Sequence, residues 1–189
     1  MGSNKSKQDL SKEDLEYLKK HTHLDENKIK EWYEGFKQDC PDGRFTPDKF
    51  NDMYKKFFPS GNSEQFCDQV FRSFDADKNG YINFNELLIA IDVTSAGTAE
   101  EKLKLAFRMY DVDGNGVIKQ EEMTKIVKAI YNMLGTGTST RTNSVKERAK
   151  NIFSRMDENS DGHLTEDEFL SGCLQDKELC KLLAPNVVL

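Results

Sequence analysis

No apolar run in the chain is long enough to cross a bilayer, so an integral membrane protein is not expected. The four cysteines (Cys40, Cys67, Cys173, Cys180) have neither the density of a disulfide framework nor the paired spacing of a zinc site. With no signal-peptide pattern either, reduced thiols and an intracellular setting are expected. A basic excess is also missing. Lys and Arg number 27 against 33 Asp and Glu, a net charge of -6, which gives no footprint for nucleic acid. Tryptophan occurs once and histidine three times. That leaves too few rings to cage a chromophore, as a photoprotein would need. His21 and His23 lie in a polar stretch and read as bystanders. No serine, cysteine or carboxylate constellation is arranged for catalysis, so no enzyme is expected.

Carboxylates are plentiful, and they fall into register. Residues 111–122 read Asp-Val-Asp-Gly-Asn-Gly-Val-Ile-Lys-Gln-Glu-Glu. Asp111, Asp113 and Asn115 bring side-chain oxygens to positions 1, 3 and 5, and Val117 adds its carbonyl at 7. Gly116 permits the sharp bend, and Glu122 closes the shell with two oxygens. This is the ligand pattern of an EF-hand calcium loop. Ile118, at position 8, carries no ligand and is expected to pair with a neighbouring loop. Lys119 at position 9 cannot ligate, so water is expected there.

The pattern recurs twice. Asp75, Asp77, Asn79, Tyr81 and Glu86 form one further loop, with Asn83 as another neutral oxygen. Asp157, Asn159, Asp161, His163 and Glu168 form the other, His163 lending only its carbonyl. Three Ca2+ ions are expected, and the same oxygens can take Mg2+ when calcium is low. Aligned on Gly43 and Phe45, residues 38–49 are a fourth loop without its chemistry. Gln38 and Cys40 replace ligands, Pro41 stiffens the turn, and Lys49 puts a cation where the last glutamate belongs.

Apolar residues at helical spacing flank each loop, so the expected fold is all-α, two lobes of paired EF-hands with the first hand degenerate. A short helix carries Leu10, Leu15 and Leu18; another spans 25–36. Further helices are expected at 47–57, 63–74, 84–92, 145–156 and 176–183, with Thr98 and Glu101 opening another through a capping box. The expected divisions are 1–24 for an N-terminal segment, 25–93 and 99–183 for the two pairs, and 184–189 for a tail. Thr94-Ser95-Ala96-Gly97 is read as the start of a hinge over 94–98. By composition, residues 135–144 are read as a flexible linker.

Met1-Gly2-Ser3-Asn4-Lys5-Ser6 fits the N-myristoylation pattern, with Gly2 as acceptor. One such chain gives marginal, reversible membrane attachment. Lys5 and Lys7 would add roughly 1 kcal/mol each on an anionic surface.

The chain resembles the neuronal calcium sensor family over essentially its whole length. The resemblance rests on the Met-Gly start, Trp32-Tyr33, Cys40-Pro41 in the disabled loop and Lys56-Phe57-Phe58-Pro59. Phe71-Arg72-Ser73-Phe74-Asp75 and Thr94-Ser95-Ala96-Gly97 carry it as well. It implies an acyl group held in the N-terminal lobe without calcium and extruded on loading, as the lobes rotate about Gly43 and Gly97. It further implies a groove for an amphipathic target helix at Trp32, Phe36, Phe50, Tyr54, Phe57, Phe58, Leu87 and Ile91. The target would be a membrane-associated kinase, cyclase, channel or receptor, and the protein would sit peripherally on the cytoplasmic membrane face. The short 135–144 segment lacks the family's acidic stretch, and the 184–189 tail is unlike its relatives.

Aromatic residues crowding the loop that cannot bind metal support a groove independently. Two other readings stay open: a calcium buffer, whose hands barely open, and an obligate regulatory subunit without an acyl switch. Whether the acyl group is sequestered or permanently exposed is also open at this stage.

Overall fold

The computed structural model describes residues 10–57, 64–133 and 142–184. Gly2, Phe58 and the tail beyond Ala184 lie outside the described residues, as do the side chains of Tyr54 and Phe57. The N-terminal lobe contains α1 (Lys12–His21), α2 (Glu26–Asp39), α3 (Pro47–Phe57), α4 (Glu64–Phe74) and α5 (Phe84–Ala96). The C-terminal lobe contains α6 (Ala99–Tyr110), β1 (Val117–Lys119), α7 (Gln120–Met133) and α8 (Thr142–Met156). It ends with β2 (His163–Thr165), α9 (Glu166–Gln175) and α10 (Lys177–Leu183). Helices dominate, as expected.

Side-chain caps set where several helices begin. Ser11 accepts from the Asp14 amide at 2.9 Å to open α1, and Asp25 accepts from Lys28 at 2.9 Å to open α2. Reciprocal capping boxes join Thr98 to Glu101 and Thr165 to Glu168. A third, from Asn83 to Glu86, opens α5. Each satisfies amide donors that a helix start would otherwise leave unpaired.

Two boundaries differ from expectation. Helix α5 continues through Thr94, Ser95 and Ala96, leaving Gly97 and Thr98 as the link in place of 94–98. The hydroxyls of the stretch read as a hinge bond back along the helix. Thr94 donates to Ala90 and Ile91, and Ser95 donates to Ile91 at 2.7 Å. Helix α8 starts at Thr142, so the linker composition overran the helix start by three residues. Polar residues favoured in linkers are also those favoured at helix starts.

Each lobe pairs its loops at position 8. In the C-terminal lobe, β1 and β2 run antiparallel with Ile118 opposite Leu164, both fully buried. In the N-terminal lobe a single bridge joins Phe45 to Ile82, through two backbone hydrogen bonds of 2.9 Å. Helix α4 packs across the junction on α6 and α7, and Arg72 donates to the Val112 carbonyl at 2.9 Å.

Candidate functional site

The three intact loops share one hydrogen-bond scaffold. The position-1 carboxylate of Asp75, Asp111 or Asp157 accepts the amide of the position-6 glycine, at 2.9, 2.9 and 3.0 Å. Its second oxygen accepts the amide at position 5, at 3.1, 3.0 and 3.2 Å. Asn79, Asn115 and Asp161 then accept the amide at position 7, from Tyr81, Val117 and His163. The chain must be left-handed at the bend, and Gly80, Gly116 and Gly162 have φ of 88, 87 and 83°. A side chain there would be strained.

The closing glutamates separate the loops. Glu86 accepts from the Ala76 and Asp77 amides with one oxygen (2.9 and 3.2 Å) and from Asn83 with the other (3.0 Å). Glu122 spans its loop in the same way, from Asp113 at 3.1 Å to Lys119 at 2.9 Å. Carboxylate oxygens of Asp75, Asp77 and Glu86 therefore lie within 4.8 Å of one another, and those of Asp111, Asp113 and Glu122 do the same. Oxygens around a calcium ion at about 2.4 Å are at most about twice that distance apart. Both triads fit the ion. Among the described residues, the Glu168 carboxylate instead accepts from Thr165 alone, from its amide at 2.9 Å and its hydroxyl at 2.8 Å. Among the described residues, no three-acid cluster of this kind forms in loop 157–168.

Asn83, read as a spare neutral oxygen, spends it on the Glu86 amide at 3.0 Å. The Lys119 ammonium lies 2.8 Å from the Asp113 carboxylate, outside the ligand array. That contact holds the Asp113 carboxyl below, and the Lys119 ammonium above, its ordinary pKa.

The degenerate loop has its own internal cation. Lys49 donates to the Asp39 carbonyl at 3.1 Å, and its ammonium lies 3.7 Å from Cys40 Sγ and 3.9 Å from Asp42. Gly43 keeps the left-handed bend, at φ 73°. A tethered ammonium stands among groups that a metal ion would otherwise face. Burial pushes the Cys40 thiol up, partly opposed by Lys49, so it is not a primed nucleophile.

Beside this loop lies an apolar groove of about 530 Å³. Its lining includes Trp32, Phe36, Phe50, Leu87 and Ile91 from the expected set, together with Gly35, Cys40, Phe45, Met53, Phe74, Phe84 and Leu88. Trp32 is 40% exposed on its wall. Lys28, Glu31 and Asp39 supply charge at the groove. Among the added members, Phe45, Phe74 and Phe84 sit at loop edges, where helical periodicity gives no signal for a shared face. Gly97 has φ -64°, so its role is not a left-handed turn. A Cβ there would meet the Val93 carbonyl oxygen at 2.5 Å, so close backbone approach is what requires glycine.

Comparison with known proteins agrees with this geometry. Residues 100–174 match the EF-hand domain pair family, and residues 66–92 match the EF hand domain. The chain is 45% identical to neuronal calcium sensor 1 of Lymnaea stagnalis over 185 residues, covering 97% of this chain and 96% of that one. It is 46% identical to neuronal calcium sensor 1 of Aplysia californica, with the same coverage. Human recoverin is 41% identical over 188 residues, covering 97% of this chain and 93% of its own.

Proposed function

This chain belongs to the neuronal calcium sensor family and is a calcium sensor of the EF-hand kind; from that premise we propose a calcium-operated docking protein. Ion binding in its loops controls exposure of an N-terminal acyl group and of the N-lobe groove to an amphipathic target helix. Asp75, Asp77, Asn79 and Glu86 would hold one ion, with the Tyr81 carbonyl. Asp111, Asp113, Asn115 and Glu122 would hold another, with that of Val117. Asp157, Asn159, Asp161 and Glu168 would hold a third, with that of His163. A bound ion would supply the charge against which the carboxylates on the two limbs of each loop close, and that closure would move the exit helix. No bond-making step is involved, and the protein acts as a nonenzymatic regulator.

The observation that carries this reading is the groove. Its volume lies in the range of ligand pockets, and its wall presents rows of apolar side chains from α2 and α5. A helix with anchors at i, i+3, i+4 and i+7 is the partner such a surface suits. That partner would be a segment of a membrane-associated kinase, cyclase, channel or receptor. Gly2 in the myristoylation pattern supports attachment to an anionic membrane surface, with Lys5 and Lys7 assisting. Gly43 and Gly97 are the hinge positions on this reading, and the protein would sit peripherally on the cytoplasmic face.

The test is cosedimentation of N-myristoylated protein with anionic liposomes, in calcium and in chelator, beside Gly2→Ala. The expected result is pelleting that requires both calcium and Gly2. Pelleting in both conditions would leave the groove as the calcium-controlled element. Absence of pelleting throughout would favour a buffer or a regulatory subunit.

A further inference from the structure

His23 lies in the turn between α1 and α2, and by composition it is a solvent-facing bystander. The fold gives it a partner 69 positions away. Its backbone N–H and its ring Nδ1 both meet one oxygen of Asp92, at 3.1 and 2.9 Å. The Asp92 side chain is 2% exposed, whereas that of His23 is 59% exposed. The second Asp92 oxygen, Oδ1, is buried with no hydrogen-bond partner among the described residues. A carboxylate taken so far out of water needs a compensating charge. Among the described residues, His23 is the cationic side chain within ion-pair reach of it.

Most neighbouring charged groups are engaged elsewhere. From α6, Glu101 adds a negative field at the His23 ring, while its own carboxylate is engaged by the Thr98 amide and hydroxyl at 2.8 and 2.9 Å. On α1, the His21 ring turns to the Tyr17 carbonyl at 2.8 Å. From the α2 side, Asp25 accepts from the Lys28 amide, and Glu26 pairs with Lys30 and Lys19. On α5, the Asp92 backbone carbonyl accepts the Gly97 amide at 3.1 Å. Asp92 thus anchors the His23 turn and the end of α5 at the lobe junction.

We propose that His23 and Asp92 form a proton-operated clasp that holds α1 against α5. Helix α1 lays Leu15 and the fully buried Leu18 on the core built from α2 and α5. It is also the helix to which the N-terminal segment is joined. An ionised Asp92 only accepts, so Nδ1 carries hydrogen in either state, and the proton that comes and goes is at Nε2. What changes with pH is the charge facing the carboxylate. The hydrogen bond to Asp92, and then its charge, hold the His23 pKa above the ordinary value, with burial opposing. A raised pKa means the clasp is complete below the unfolded value, about 6.5. The charge component is lost as pH rises through the folded value, and the Nδ1 hydrogen bond alone remains.

The test uses the full chain in chelator, with proton NMR of the three histidine rings from pH 5 to 9. Amide exchange of α1, corrected for intrinsic rates, is followed in parallel in wild type, Asp92→Asn and His23→Gln. The expected result is a His23 resonance titrating above 6.5 that returns toward it in Asp92→Asn. Opening of α1 should be more frequent at pH 8 than at pH 6, the direction a raised His23 pKa requires. In His23→Gln it should not vary with pH. A His23 ring titrating at its ordinary value in both wild type and Asp92→Asn would overturn the clasp, as would α1 protection that is flat with pH in wild type. Should Asp92→Asn fail to fold, the exchange comparison of wild type with His23→Gln decides alone.

Discussion

The two lobes are built from the same repeat and end with different cores. In the C-terminal lobe one continuous cluster runs from Leu103 and Phe107 through Ile118 and Phe169 to Cys180, Leu183 and Ala184. Helix α10 and the residue after it contribute the last three, and the Tyr110 hydroxyl donates to the Leu183 carbonyl at 3.3 Å. Burial drives the Tyr110 hydroxyl far above its ordinary pKa, so it remains a neutral donor. In the N-terminal lobe the apolar residues divide between a cluster around Leu18, Ile29 and Leu88 and another around Phe50, Phe71 and Ile82. Among the described residues, no further helix supplies the groove wall, which comes from α2, α3, α4, α5 and the degenerate loop. A pair of EF-hands makes more apolar surface than it covers. One lobe covers it with its own α10, and the other leaves it as an open groove.

Cutting into each wall tests this difference most strongly. Leu183→Ala removes a fully buried side chain and should cost about 2–5 kcal/mol. Ile91→Ala faces existing space and should cost under about 1.5 kcal/mol, because little new cavity is made. Urea unfolding of both variants measures the gap, and equal losses would mean the groove is as closely packed as the C-terminal core. A smaller effect separates the loops within the C-terminal lobe. Glu122→Gln removes a carboxylate already spanning its loop and should weaken that site at least about tenfold. Glu168→Gln should weaken its site less, because Glu168 must first leave its bonds to Thr165. Calcium titration calorimetry would show it, and a larger loss for Glu168→Gln would reverse the ranking. The smallest effect is a gain. Gly35 sits within α2, and a methyl group added to its Cα would meet nothing within 4 Å. Gly35→Ala should therefore stabilise the N-terminal lobe by about 0.5–1 kcal/mol. Thermal unfolding that shows no gain would mean the groove wall is not helical in solution at that point.

Much of the site was legible because its parts are local. An EF-hand loop places five ligand positions and a left-handed glycine within twelve residues, and the flanking helices carry their own caps. Residues such as Asp111, Gly116 and Glu122 could therefore be assigned roles before any contact was known. The helix ends were less legible. Thr94 and Ser95 favour turns unless their hydroxyls bond back within the helix, and which occurs depends on what α5 packs against. The groove was half legible. Trp32, Phe36, Phe50, Leu87 and Ile91 share helical faces, but Phe45, Phe74 and Phe84 join them only once the lobe closes.

The sequence by itself determined the repeat, the chemistry of the loops and the loss of that chemistry at Gln38, Cys40 and Lys49. Each of these depends on residue types within a few positions, where backbone geometry is dictated locally. Tertiary structure alone decided which apolar face is covered and which is left as a groove. It alone joined His23 to Asp92 across 69 positions. Those outcomes depend on how separate helices share burial and charge, and no spacing along the chain encodes that.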